Sequence, residues 1–112
     1  MTLDEVRDEL KKGMRTFLYL EEAEGGGYAL RYAVGTRNHQ LVQQGMNAVG
    51  AHFAGGKGPE QYEPNRLSVY WDNTQAAFRC FAIERFLGFV DGKDTDWNEI
   101  YKVLKENGIQ PE

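Results

Sequence analysis

Apolar and polar positions change period twice along the chain. Leu3, Val6 and Leu10 recur at helical spacing, so they share one stripe. Thr2, with Glu5 three residues later, forms a capping box, and Gly13 stops the run. These marks predict a helix over 2–12 that plugs one end of whatever it packs on. From Met14 the period becomes two. "MRTFLYLEE" is rich in β-formers, and "GGGYALRYAVGT" follows a Glu-Gly-Gly-Gly turn. In the second run Tyr28, Leu30, Tyr32 and Val34 share one face, with Ala29, Arg31 and Ala33 on the other. This is a half-buried strand with one clean apolar face. Residues 14–22 and 28–35 are expected to form an antiparallel hairpin.

Periodicity is then lost over residues 36–64. "TRNHQLV" is compatible with one helical turn capped by Thr36. "QQGMNAVGAHFAGGKGPEQYEPN", with five glycines and two prolines, predicts an insertion loop over 43–64. Strand alternation returns in "RLSVYWD", where Leu67, Val69 and Trp71 alternate with Ser68 and Tyr70. "DNTQ" reads as a turn. The next strand, "AAFRCFAI", has two candidate inner faces, Phe78/Cys80/Ala82 or Arg79/Phe81/Ile83. "ERFLGFV" makes a last short strand after a tight bend, with Gly88 placed for a kink or bulge. Thr95 or Asp94 then caps a final helix over 95–107, with Trp97, Ile100, Tyr101 and Leu104 along one stripe. Five short strands with tight turns predict a small barrel that closes its own edges. The whole chain, 1–112, reads as one domain, with the strands over 14–91 and a helix at each end.

Composition narrows the function classes. Hydrophobic residues make up 41% and charged residues 27%, a globular profile. Thirteen basic against 17 acidic residues give a net charge of −4, which disfavours a duplex nucleic-acid binder. The single Cys80 excludes an intrachain disulfide and a thiolate zinc site, and it reads as a small core residue. "MTLDEVRDELKK" is too acidic and polar for a secretion signal, and no apolar run is long enough to span a bilayer. The expected location is the cytoplasm, with no membrane partner.

Candidate chemistry is sparse. "AHFAGGKGP" offers the Gly-Lys of a phosphate loop, but Ala51 stands where the first glycine is required and Gly58 where a Ser or Thr is. Lys57 remains only as a cation able to touch an anion. His39 and His52 have no ligand-spaced partners, so no metal site is expected. Ser68 is the only serine, and no nucleophile–base set is apparent. Glu84 reads as a structural anchor at the bend beside Arg85. We therefore expect no enzyme, no catalytic residues and no cofactor. What remains is a binding surface. Tyr70 and Arg79 lie on neighbouring strands, and Arg37 and Asn38 sit at the end of the second strand beside the insertion.

Four segments in order, "GMRTFLYL", "YAVGTRN", "LSVYWDNTQAAFRCF" and "AIERFLGFV", resemble the small WYL-like group of bacterial and phage-borne Sm-like, SH3-type β-barrels. The resemblance covers residues 13–91 and implies a mainly β, five-stranded SH3/Sm-like barrel with short terminal helices. It also implies a basic face, here represented by Arg31, Arg37, Arg79 and Arg85. The larger relatives sense nucleotides or nucleic acid through such a face. The expected function is thus a non-enzymatic binding or regulatory module for a nucleotide-like ligand or nucleic-acid strand. Its site would hold Arg37, Asn38, Lys57, Tyr70 and Arg79, with the 43–64 loop as a lid. The alternative is a protein-interaction or self-assembling module that forms homo-oligomers through edge strands or acts on a host protein.

Overall fold

The computed structural model describes residues 1–50, 67–93 and 95–109. The first helix, α1 (Leu3–Lys12), begins as its sequence requires. Thr2 Oγ1 accepts from the Glu5 amide at 3.2 Å, and Glu5 Oε1 accepts from the Thr2 amide at 3.0 Å. Asp4 and Glu5 occupy the first turn and Lys11 and Lys12 the last, matching the helix dipole. Val6 and Leu10 are fully buried in the main core.

Strands β1 (Arg15–Glu22) and β2 (Tyr28–Thr36) pair antiparallel without a break, from Arg15↔Gly35 to Glu22↔Tyr28. The clean apolar face of β2 is not the one that turns inward. Ala33 is buried, while Tyr32 is 65% exposed and Tyr28 and Leu30 are also exposed. The cause lies across the ladder. Phe17 and Tyr19 of β1 fill the core, and their partners on β2 are Ala33 and Arg31. Small or long, polar-tipped side chains therefore face inward on β2, and its large apolar ones face out.

Residues 39–48, expected as a single turn followed by loop, form a ten-residue helix, α2 (His39–Ala48). Its N-cap is Asn38 rather than Thr36, through Oδ1 accepting from the Leu41 amide at 3.1 Å. Thr36 is buried instead. Its hydroxyl donates toward the Leu10 and Gly13 carbonyls and accepts from the Asn38 amide, tying α1 to the α2 entry. Val42 and Met46, one turn apart, pack on Trp71 and Phe78. Gly45 permits this approach. A Cβ there would lie 2.2 Å from Trp71 Nε1. The insertion thus opens as packed helix up to Ala48, and residues 51–66 lie outside the described part of the chain.

Strands β3 (Leu67–Asp72) and β4 (Ala77–Ala82) form the second ribbon, paired from Leu67↔Ala82 to Asp72↔Ala77. Asp72 shapes their turn by accepting from the Thr74 and Gln75 amides, both at 2.9 Å. Of the two candidate faces of β4, Arg79 and Phe81 point inward. Cys80 lies on the outer face and is exposed, contrary to its reading as a core residue. A 3-10 turn, Ile83–Arg85, leads into β5 (Phe86–Phe89), which pairs with β1 and shifts register between Leu18 and Tyr19.

The sheet order is β4-β3-β2-β1-β5. The five strands and their order agree with an SH3/Sm-like arrangement, but the expected closed barrel is not formed. Strands β4 and β5 are the two edges of one strongly bent sheet. Its concave side holds an aromatic core of Phe17, Tyr19, Tyr70 and Phe81, with Phe86 and Phe89 against it and α1 across it.

The last helix, α3 (Trp97–Glu106), covers the opposite face of β1, where Ile100 and Leu104 bury Leu18 and Leu20. Its cap is Asp96, whose Oδ1 accepts from the Glu99 amide. Thr95 is used otherwise, donating to the Phe89 and Gly92 carbonyls, and Asp94 lies outside the described residues. Trp97 and Tyr101, expected on the buried stripe, stack on each other at the surface with ring centres 5.8 Å apart. Arg15 clamps this end by donating to both Asp91 oxygens and to Glu9, while its guanidinium lies over the Phe89 ring.

Candidate functional site

Among the described residues the ladder between the two ribbons is short, pairing Gly35 with Asp72 and Thr36 with Trp71. Gly35 makes that approach possible, since a Cβ there would stand 2.4 Å from the Tyr70 ring and 2.8 Å from the Trp71 carbonyl. Beyond Val34, whose carbonyl accepts from the Asn73 amide, the ribbons diverge. Residues 28–33 of β2 have no ladder partner on that side among the described residues. A mouth opens between the ribbons, floored by the aromatic core.

The register of each ribbon decides what lines this mouth. On one ribbon Tyr19 stands opposite Arg31, and on the other Tyr70 stands opposite Arg79. The two Tyr–Arg pairs face one another. Tyr19 and Tyr70 share a hydrogen bond between hydroxyls at 2.7 Å. Only one hydroxyl hydrogen is consumed there, which leaves the other available as a donor. Burial pushes both phenols above their ordinary value, so both stay neutral at physiological pH.

Charged groups ring this floor. Glu21 Oε1 lies 3.3 Å from Arg79 Nη2, and its Oε2 lies 3.8 Å from Arg31 Nη1, so one carboxylate spans the two ribbons. Arg31 Nη2 is also 3.7 Å from the buried Asp72 Oδ2, and Arg31 Nε is buried without a hydrogen-bond partner. A groove of about 350 Å³ opens alongside, with Tyr19, Glu21, Phe81 and Arg85 on its walls. Chemically, the mouth offers two guanidiniums, a spare phenolic hydroxyl and aromatic edges. That set suits an anionic group attached to a flat or apolar body.

Of the residues expected at the site, Tyr70 and Arg79 are here. Tyr70 is 1% exposed, so it contributes its hydroxyl and not an open stacking face. Arg37 and Asn38 lie at the α2 entry. Arg37 Nη1 donates to the Val69 carbonyl at 2.7 Å, and Asn38 caps α2 while its Nδ2 donates to the Lys11 carbonyl at 3.0 Å. Lys57 falls outside the described residues. Arg85 donates to Glu22 and lies over the Tyr28 ring. Tyr19, Glu21 and Asp72 were not anticipated at the site. Pairing Tyr19 with Arg31 would have found Tyr19 once β2 was turned the right way round, whereas no local signal points to Glu21 or Asp72. Among the described residues no group of three or more His, Cys, Asp or Glu side chains is placed to hold a metal. No helix among them is long and apolar enough to cross a membrane.

A family model described as WYL_2, Sm-like SH3 beta-barrel fold, matches residues 3–87, from α1 into β5. The chain therefore belongs to that family. Comparison with curated proteins and with solved structures gives no match.

Proposed function

We propose that this WYL_2 chain is a non-enzymatic binding or regulatory module whose ligand carries a phosphate, either a nucleotide-like molecule or a nucleic-acid strand. One observation carries the reading: half-buried Arg31 and Arg79, from opposite ribbons, converge over the bonded Tyr19–Tyr70 pair. Half-buried guanidiniums recognise phosphate oxygens in pairs and feel less screening than surface lysines. The ligand enters between the ribbons, its anion on the arginines and its body in the groove beside Glu21, Ala82 and Arg85. The overall acidity of the chain favours a small ligand over a long phosphate backbone.

Calorimetric titration with nucleoside mono- and diphosphates, repeated across a salt series, tests this. Affinity is expected to fall as salt rises and to be lost in Arg79→Gln. Salt-independent binding that survives this substitution would rule the mouth out as the site.

A second reading, a protein-interaction or self-assembling module, draws on a different surface. Tyr28, Leu30 and Tyr32 expose an apolar strip on the outer face of β2, and β4 and β5 offer open edges. It predicts association that grows with protein concentration and is insensitive to salt, measurable by sedimentation velocity.

A further inference from the structure

The carboxylate at the centre of the mouth fits its partners loosely. Its contacts of 3.3 Å to Arg79 and 3.8 Å to Arg31 exceed the roughly 2.7–2.9 Å of a tight charge-assisted pair. Each oxygen reaches toward a different ribbon, and the group is too narrow to close on both. Its side chain is 44% exposed, so it can turn to water without being stranded. Asp72, the other acid, has no such freedom. It is buried, and its Oδ1 is held by the Thr74 and Gln75 amides. The arginines also carry more donors than these acids use. Arg31 Nε is buried with no partner, and one tyrosine hydroxyl hydrogen is left over from the Tyr19–Tyr70 bond.

Building on the ligand site proposed above, we propose that Glu21 is an internal stand-in for the ligand, occupying the position that a terminal phosphate takes between Arg31 and Arg79. A phosphate monoester is wider than a carboxylate, carries three terminal acceptor oxygens and has a charge near −1.5 to −2. It closes the gap to both ribbons and leaves an oxygen for an unused donor. Glu21 swings out as it enters. In the empty protein Glu21 offsets the repulsion between two like charges, and toward a ligand it acts as a competitor. Removing it therefore has opposite effects on stability and on affinity. A purely structural ion pair would lower both.

The test titrates inorganic pyrophosphate, at constant ionic strength, into wild type, Glu21→Gln, Arg79→Gln and the double variant. Glu21→Gln is expected to bind up to about fivefold more tightly than wild type, the scale of one partly exposed ion pair. The gain should be absent in the double variant, and Glu21→Gln should unfold at lower urea than wild type. Glu21→Ala carries the same expectations if the amide variant folds poorly. If Arg79→Gln abolishes binding but neither Glu21 variant binds more tightly, the stand-in role is overturned and the ligand site survives. If binding is indifferent to Arg79, or absent in all four proteins, both fall.

Discussion

Substituting Gly45 with Ala reverses the usual sign of a helix mutation. In an exposed helix interior the change stabilises by about 1 kcal/mol, because alanine loses less backbone entropy than glycine. At position 45 the added Cβ would lie 2.2 Å from Trp71 Nε1 and 2.7 Å from Cε2, against about 3.5–4 Å for a normal contact. The indole cannot yield. It is 2% exposed, held edge-on by Phe78 at 5.0 Å between ring centres and flanked by Val42 and Met46. Helix α2 must lift by more than an ångström, an overpacking cost at the upper end of about 1–3 kcal/mol. Offset by the propensity gain, the net loss is about 2 kcal/mol, roughly thirtyfold in the folding equilibrium. Urea unfolding in a Trp97→Phe background measures it, because Trp71 then supplies all the tryptophan fluorescence. Gln44→Ala, on the exposed side of the same helix, should stay within about 0.5 kcal/mol of wild type. A Gly45→Ala protein that is more stable than its parent would refute the packing of α2 on β3.

Three further outcomes follow from the same structure. Thr36→Val strands the Gly13 carbonyl and the Asn38 amide around a buried methyl, while the Leu10 carbonyl keeps the Arg37 amide, and should cost about 1–3 kcal/mol in urea unfolding. Exposed Cys80 should react fully with an aromatic disulfide reagent in native buffer; reaction only after unfolding would place it in the core. The Arg15 guanidinium, helped by the Thr16 amide, holds the Asp91 carboxyl below its ordinary value of 3.8. With the folded value depressed, the stabilisation is complete above that ordinary value and is lost as pH falls through the folded one. Wild type should therefore exceed Asp91→Asn by roughly 1 kcal/mol at neutral pH, and acid denaturation curves should converge at the lowest pH.

Strands and turns were legible because alternation and glycine placement are local. The hairpin from β1 to β2, the Asp72 turn and the Thr2 cap all appear as the residues predict. What failed depended on partners far along the chain. Tyr28, Leu30 and Tyr32 look like a core face in isolation, but Phe17 and Tyr19 already fill the concave side. Helix α2 was hidden because a glycine and several amides interrupt its short Val42/Met46 stripe, and Trp71, 25 or more positions away, supplies the packing. Trp97 and Tyr101 fit a helical stripe, yet α3 rests on Ile100 and Leu104, one step around. The site divides the same way. Tyr70 and Arg79 were readable as neighbours on adjacent strands. Glu21 and Arg31 join them only because the sheet bends until its two ribbons face each other.

The convergence of Arg31 and Arg79 over the two tyrosines can be tested in one spectrum. Titration of isotope-labelled protein with adenosine monophosphate, read in the backbone amide and arginine Nε regions, reports which residues meet the ligand. Saturable shifts are expected at Tyr19, Glu21, Arg31, Tyr70 and Arg79, weakening with salt. Shifts confined to the Tyr28, Leu30 and Tyr32 face, or to Arg37 at the α2 entry, would contradict the proposed site.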